Sequence, residues 1–316
     1  MATAVQHEAG GKTKFVPPPM RESAKAHRRK ETALGYFFLG PQLVGLLVFM
    51  LGPLVFALVL GFSNWDGFGT MTFAGLKNFA TVFTDPQLVT SSRNTVWFAV
   101  LSVPGQLLSG FIVAWMLQKV VRGKSFYRTF YFAPVVTSSV AVAVIWLWLL
   151  NPDISPLNTT LKKMGLPAPD WLQDARFTIP AFAVVAIWQG IGYQVVMFSA
   201  GLENVPKSLL EAADIDGANE WQKMRKITVP LLSPTILFLS ITGIIGSFQI
   251  FDLVFVLMGT NAPSASRTIV YEIYQKAFVE FNFGVACAIA IVLFLALLAL
   301  TGLQLAAQKR WVHYTE

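Results

Sequence analysis

The stretch Glu211-Ala212-Ala213-Asp214-Ile215-Asp216-Gly217, followed ten residues after its glycine by Ile227-Thr228-Val229-Pro230, is a polar island between two runs that carry no charge. One run lies between Arg176 and Glu203, the other between Lys226 and Asp252. Each is longer than the roughly 20 residues that cross a hydrocarbon core of about 30 Å at about 1.5 Å per residue. Working outward, further charge-free runs of this kind lie between Glu31 and Asp66, Arg93 and Lys119, Arg128 and Asp153, and Glu280 and Lys309. Strands of alternating polarity are absent from these runs, so the pattern predicts an all-α integral membrane protein with six transmembrane helices rather than a barrel.

Composition agrees. Hydrophobic residues make up 54% of the 316, charged residues 13%, and mean hydropathy is +0.57, which excludes a soluble domain of this size. Lys and Arg set the orientation. Lys12, Lys14, Arg21, Lys25, Arg28, Arg29 and Lys30 precede the first span, and Lys119, Arg122, Lys124 and Arg128 follow the second. Lys207, Lys223, Arg225 and Lys226 follow the fourth, and Lys309 and Arg310 the sixth, so 17 of 24 basic residues share one side. Both termini and the polar island are therefore expected in the cytoplasm, in a multi-pass membrane protein. The formal charge of +7 is topological signal, with some attraction to anionic lipid, and calls for no nucleic acid.

Residues 1–33 are rich in Gly, Lys and Pro and are expected to form a disordered cytoplasmic tail. Residues 34–309 form the membrane domain, with the island loop at about 203–230, and 310–316 a cytoplasmic tail. The first apolar run begins too late and runs too long for a cleaved signal, so it is read as a retained helix. Gly11-Lys12-Thr13 resembles the end of a phosphate-binding loop, but the glycine that motif needs is Gln6. No ATP site, metal site or catalytic residue is expected in the chain. Cys287, the only cysteine, sits within the sixth run as a small packing residue, and His7, His27 and His313 are scattered in the tails.

Within the island, residues 206–216 read as a short helix with Pro206 in its first turn, Gly217 as a turn of positive φ, and Ala218 to Lys226 as a second short helix. Trp221 and Met224 then share a face. The product is a compact knob whose Ala212 and Ala213 let backbones approach closely, with Glu211 open to a cationic partner.

The spacing of Glu-Ala-Ala, three residues, Gly, nine residues and Ile-x-Val-Pro resembles the EAA loop of bacterial ABC importer permeases, with Val229 where Leu is usual. Phe73-Ala74-Gly75-Leu76-Lys77-Asn78-Phe79, Asp85-Pro86 and Asn94-Thr95 are similar to the maltose and glycerol-phosphate permease group. So are Phe251-Asp252, Gly259, Pro263, Thr268, Tyr271 to Tyr274 and Phe283-Gly284, although Asn261-Ala262 stands where the group usually has Gly-Gly. The resemblance, over about residues 36–309, implies the type I importer permease fold. It assigns Glu211, Ala212, Ala213, Asp214, Asp216, Gly217, Trp221 and Pro230 to coupling with an ATPase. It also implies a second permease subunit, two ATP-binding cassette subunits that hold ATP and Mg, and an extracytoplasmic substrate-binding protein, in contact with membrane lipid.

Polar residues at membrane depth face a pathway or a helix interface. The fourth span offers Gln189, Tyr193 and Gln194, the fifth Ser247, Phe248, Gln249 and Asp252, and the third Thr137, Ser138 and Ser139 beside Pro134. Aromatic faces with amides and hydroxyls suit a sugar. In the resembling permeases the positions matching Gly190, Tyr193 and Ser247 to Phe251 border the substrate, so Gln189, Gly190, Tyr193, Gln194, Ser247, Phe248, Gln249, Phe251 and Asp252 are the expected pathway. Ser138, Ser139 and Gln106 are read instead as interhelical hydrogen-bonding residues, and Trp146 and Trp148 as interface anchors. The expected function is sugar import, a disaccharide or oligosaccharide first and glycerol phosphate or a polyol second. An ATP-independent secondary transporter is the rival from another class.

Overall fold

The computed structural model of the protein describes residues 20–119 and 124–312. The chain divides into two units between Phe56 and Ala57. Residues 1–19 of the expected tail, and residues 313–316, lie outside the described residues.

The first unit is helical from Met20, through Met20–Leu46, a π-helical turn Leu47–Leu51 and the start of helix Gly52–Gly61. The helix thus begins within the stretch expected to be disordered. The reason is local: residues 20–34 hold neither Gly nor Pro and are dominated by Arg, Lys, Glu and Ala, all good helix formers. The π turn has an equally local origin. Pro53 has no N–H to give the carbonyl one turn back, and the Gly52 N–H bonds five residues back to Leu47 O. Leu34–Gly61 forms an apolar span of 28 residues, with Phe37, Phe38 and Phe49 directed outward, as a lipid-facing helix requires.

In the second unit four more helices are long and apolar enough to cross a membrane: Pro86–Gln118, Thr178–Glu203, Ser233–Met258 and Phe283–Arg310. The third crossing is not one straight helix. Thr129–Val136 and Ser139–Leu149 meet at 102°. Pro134 removes one hydrogen bond from the first segment, the Thr137 hydroxyl donates to the Ala133 carbonyl (2.9 Å), and Ser138 is extended (φ −55°, ψ 134°). Its carbonyl then starts the second segment by accepting from the Val142 N–H. Counted as one crossing, the bent pair brings the total to six, matching the charge-free runs.

The second and fourth spans pack along their length because small residues let their backbones meet. Gly110 lies against the Cβ and backbone of Gln194 so closely that no Cβ fits there, and Gly105 lies against the side-chain end of Ile187. Gly192 lies in the same way beneath the Tyr131 carbonyl of the third span. Buried clusters form around Phe98, Phe182, Val254 and Tyr271 at one end, Phe198, Leu202 and Leu232 at the other, and Leu88, Val285 and Ile289 against the sixth span.

The three loops opposite the polar island carry short elements of their own. The first holds a two-residue antiparallel pair, Ser63–Asn64 with Thr72–Phe73, the one departure from all-α structure among the described residues, and then helix Lys77–Thr84. The second holds helix Pro156–Lys163, capped by the Ser155 hydroxyl, and the third holds helix Ile269–Tyr274 followed by a π turn, Gln275–Val279.

Candidate functional site

An open cavity of about 420 Å³ lies between the second, fourth and fifth spans, with Ser139 of the third also lining it. The second span contributes Phe98, Ser102 and Gln106, four residues apart and therefore on one helix face. The fourth contributes Gln189, Gly190, Tyr193 and Gln194, and the fifth Thr242, Gly243, Gly246, Ser247, Gln249, Phe251 and Asp252. Eight of the nine expected pathway residues are thus brought together here. Phe248 is not among them: one residue beyond Ser247, it turns about 100° away on the helix into a separate apolar cavity with Ile269 and Ile289.

The fifth span breaks where it meets the cavity. Helix Ser233–Phe248 ends, Gln249 to Phe251 are non-helical, and helix Asp252–Met258 resumes. Irregular backbone at membrane depth is tolerated where it lines a cavity. Asp252 opens the new helix, where the helix dipole favours a negative charge, and its side chain is exposed.

The wall is rich in amides and hydroxyls. Gln106, expected only at a helix interface, does two things: its amide donates to the Ala186 carbonyl (3.2 Å), and it lines the cavity directly beside Gly190. Gln189 donates to the Ser139 hydroxyl across the break of the third span (3.4 Å). Ser102 Oγ and Gln194 Oε1 are buried and have no hydrogen-bond partner among the described residues. Such groups on a cavity wall are places for a ligand hydroxyl or a water. Tyr193 is 41% exposed and offers its ring to the same space. Among the lining residues Asp252 alone is charged. The Phe98, Ser102 and Gln106 stripe escaped the sequence analysis, although its spacing of four in a span was the signal that could have found it.

The polar island forms the expected knob. Helix Lys207–Ile215 is followed by Gly217 at φ +74°, and the Ala218 and Gly217 N–H groups bond to the Ala213 and Asp214 carbonyls. This closes the helix with a Schellman motif. Pro206 sits one position earlier than expected, as the N-cap. Asn219 then opens the next helix, Glu220–Lys223, with a capping box: its side chain accepts from Gln222 N, and Gln222 Oε1 accepts from Asn219 N, both at 2.9 Å.

Lys223 pins its helix to the preceding one through Asp214 (2.7 Å) and also pairs within its own helix with Glu220 (2.5 Å). These carboxylates, Asp214 foremost, hold the ammonium above the usual lysine range. Glu211, Ala212, Asp214 and Asp216 are exposed, and Ile215 is 88% exposed, an apolar side chain offered outward by a rigid scaffold. The chain continues as a π turn, Met224–Thr228, where a plain helix was expected, because Pro230 withholds an N–H just beyond it. Trp221 and Met224 share a face as expected. They border an apolar groove of about 630 Å³ along the second span, with Phe111 and Trp115.

Residues 106–313 match the family model described as "Binding-protein-dependent transport system inner membrane component". The chain is 34% identical to the sn-glycerol-3-phosphate transport system permease protein UgpA of Brucella abortus biovar 1 (strain 9-941) over 284 residues, covering 89% of this chain and 97% of that protein. It is 30% identical to the arabinooligosaccharides transport system permease protein AraP of Bacillus subtilis (strain 168), covering 85% and 86%. A solved bacterial ABC transporter involved in the import of the acidic polysaccharide alginate has the same fold, at a TM-score of 0.80, 22% identity, and coverage of 91% of this chain and 99% of that one. A span-lined cavity on one side, a capped and pinned helical loop on the other, and a match covering well over half the sequence lead to one conclusion: the chain belongs to the binding-protein-dependent transport system inner membrane components, the multi-pass permease subunits of bacterial ABC importers.

Proposed function

We propose that the chain forms half of the translocation path of an ATP-driven importer for a neutral sugar, a disaccharide or oligosaccharide. The observation that carries this reading is the cavity wall, where aromatic rings, amides and hydroxyls converge without a Lys, Arg or His among the lining residues. Sugar C–H faces stack on rings, and sugar hydroxyls exchange hydrogen bonds with groups such as Gln189, Gln194 and Ser102. A phosphate ester asks for Arg, Lys or convergent backbone N–H groups, and Asp252 repels it. The second reading, glycerol phosphate, is favoured by the 34% identity to the Brucella permease, and it requires the partner half of the path to supply the cations.

The remaining parts follow from the family. A second permease subunit completes the path, two cassette subunits bind ATP and Mg and grip the knob around Glu211 and Gly217, and an extracytoplasmic binding protein delivers the sugar. Both termini lie in the cytoplasm, lipid surrounds the spans, and this chain itself holds no cofactor. Transport is alternating access, driven as the ATPases close and separate.

The test is ATP hydrolysis by the complete complex in lipid, stimulated by binding protein loaded with a panel of sugars and with sn-glycerol 3-phosphate. Stimulation by one sugar supports the reading. Stimulation by glycerol phosphate alone replaces it with the second. Glu211→Lys and Gly217→Trp are expected to insert normally yet lose the ATPase or its stimulation; unchanged copurification and unchanged stimulation in both would remove the knob from the coupling role.

A further inference from the structure

The break in the fifth span leaves backbone groups needing partners, and one of them is satisfied from far away in the sequence. The Ile250 carbonyl accepts a hydrogen bond from the Thr268 hydroxyl at 3.1 Å. Gln249, Ile250, Phe251 and Asp252 all line the cavity, so whatever fixes Ile250 fixes that wall.

Thr268 precedes helix Ile269–Tyr274, a position where a threonine hydroxyl ordinarily caps its own helix. Here it does not, and points to Ile250 instead. The helix is capped from outside, because the Ile269 N–H donates to Thr95 Oγ1 of the second span at 2.9 Å.

The segment around Thr268 is clamped to the second span along several turns. Asn94 Nδ2 donates to the carbonyls of Ser264 (2.9 Å) and Arg267 (3.0 Å). Glu272, fully buried, accepts through one carboxylate oxygen from Gln87 (3.0 Å), Ser91 (3.2 Å) and Arg267 (3.4 Å). Tyr274 adds a second link to the cavity wall, its ring 5.4 Å from that of Phe251. The span that anchors this strap at Asn94 and Thr95 presents Phe98, Ser102 and Gln106 to the cavity over its next turns.

We propose that Thr268 is a positioning residue for transport: through Ile250 it sets the broken wall of the cavity, with Asn94 and Thr95 holding it in register with the facing wall. The strap bridges two of the three cavity walls on the side where substrate is delivered, so a displacement of either wall is felt by the other. This inference rests on the cavity being the substrate path.

The test uses the complete complex in lipid, with Cys287→Ser removing the only cysteine and Ser247→Cys reporting on the wall. Thr268→Val removes the hydroxyl and keeps the shape. Loss of one hydrogen bond is expected to speed alkylation at position 247 by a maleimide about fivefold, and to lower the sugar imported per ATP hydrolysed. Thr268→Ser is expected to restore both. Thr95→Val, which frees the strap at its other end, is expected to act in the same direction and serves where Thr268→Val fails to assemble. Alkylation and coupling at reference values in both valine variants would overturn the proposal. Alkylation needs no sugar, so a wild-type complex that no sugar stimulates would sink the substrate reading and leave this result standing.

Discussion

Gly217 and Phe281 take the same unusual backbone conformation for the same reason, though only the first is a glycine. Gly217 closes the knob helix at φ +74°, and Phe281 closes the π turn Gln275–Val279 at φ +53°, where Asn282 N bonds back to the Lys276 carbonyl at 2.7 Å. A side chain in this region typically costs about 1 kcal/mol relative to glycine. Nothing lies within 4 Å of where a Cβ at Gly217 would sit, so the cost there is conformational alone. Gly217→Ala is therefore expected to lose about 1 kcal/mol of local stability, seen as faster hydrogen exchange across Lys207–Ile215. At position 281 the ring packs 6.1 Å from that of Phe68, so the informative comparison is between two truncations. Phe281→Gly is expected to be more stable than Phe281→Ala by about 1 kcal/mol, the reverse of the order within a helix. Thermal unfolding of the purified chain in detergent measures it, and equal midpoints would refute it. Lys223 supplies the pH dependence of the knob. Its pKa is raised by Asp214 and then Glu220, so its contribution is fully present below the lysine value of about 10.4. That contribution is lost as pH rises through the higher folded value. Exchange protection of the knob is thus expected to hold across neutral pH and, on raising the pH, to fade under alkaline conditions, and fading at a lower pH on that limb would mean that another group controls it.

At the scale of elements, two of the crossings that contribute to the cavity, the third through Ser139 and the fifth, are interrupted. The third bends at Ser138, the fifth unwinds from Gln249 to Phe251, and the straight fourth lies against both. The fit is close at Gly192, where a Cβ would collide with the Tyr131 carbonyl, and open at Gly246, where nothing lies within 4 Å. Gly192→Ala is expected to destabilise the protein by about 2 kcal/mol, since backbone must move to admit the methyl group. Gly246→Ala is expected to leave stability unchanged or raise it by up to about 1 kcal/mol, because alanine favours the helix. Unfolding of the two variants side by side decides the matter, and comparable losses would show that the third and fourth spans are not held at that contact. The interruptions also mark where sequence falls short. Ser138 and Gln249 sit in charge-free runs among polar residues that read equally well as pathway or interface, and the bond that satisfies the fifth span's break comes from Thr268, 18 residues away in the chain.

For the whole molecule, what was legible followed from local rules. Charge-free length gave the crossings, and the Gly217 turn with its flanking short helices gave the knob. The nearness of Tyr193 to Ser247 and of Gln106 to Gly190 depends on how spans cross, which no single span encodes, and the Brucella and Bacillus relatives add the family without fixing the substrate. The cavity also speaks to the energy source. Ion-coupled carriers work through buried acids, histidines or cation-coordinating helix breaks within the membrane. The single charge on this cavity wall, Asp252, is exposed at the start of a helix, while the buried Glu272 is tied to Gln87, Ser91 and Arg267 away from the cavity. The proposed coupling element, the knob, is on the opposite side. Collapsing the membrane potential while maintaining ATP is therefore expected to leave uptake by the complete complex unchanged, whereas depleting ATP with the potential intact is expected to stop it. Immediate loss of uptake on collapse alone would make ion coupling the driving force and reduce the knob to an ordinary surface loop.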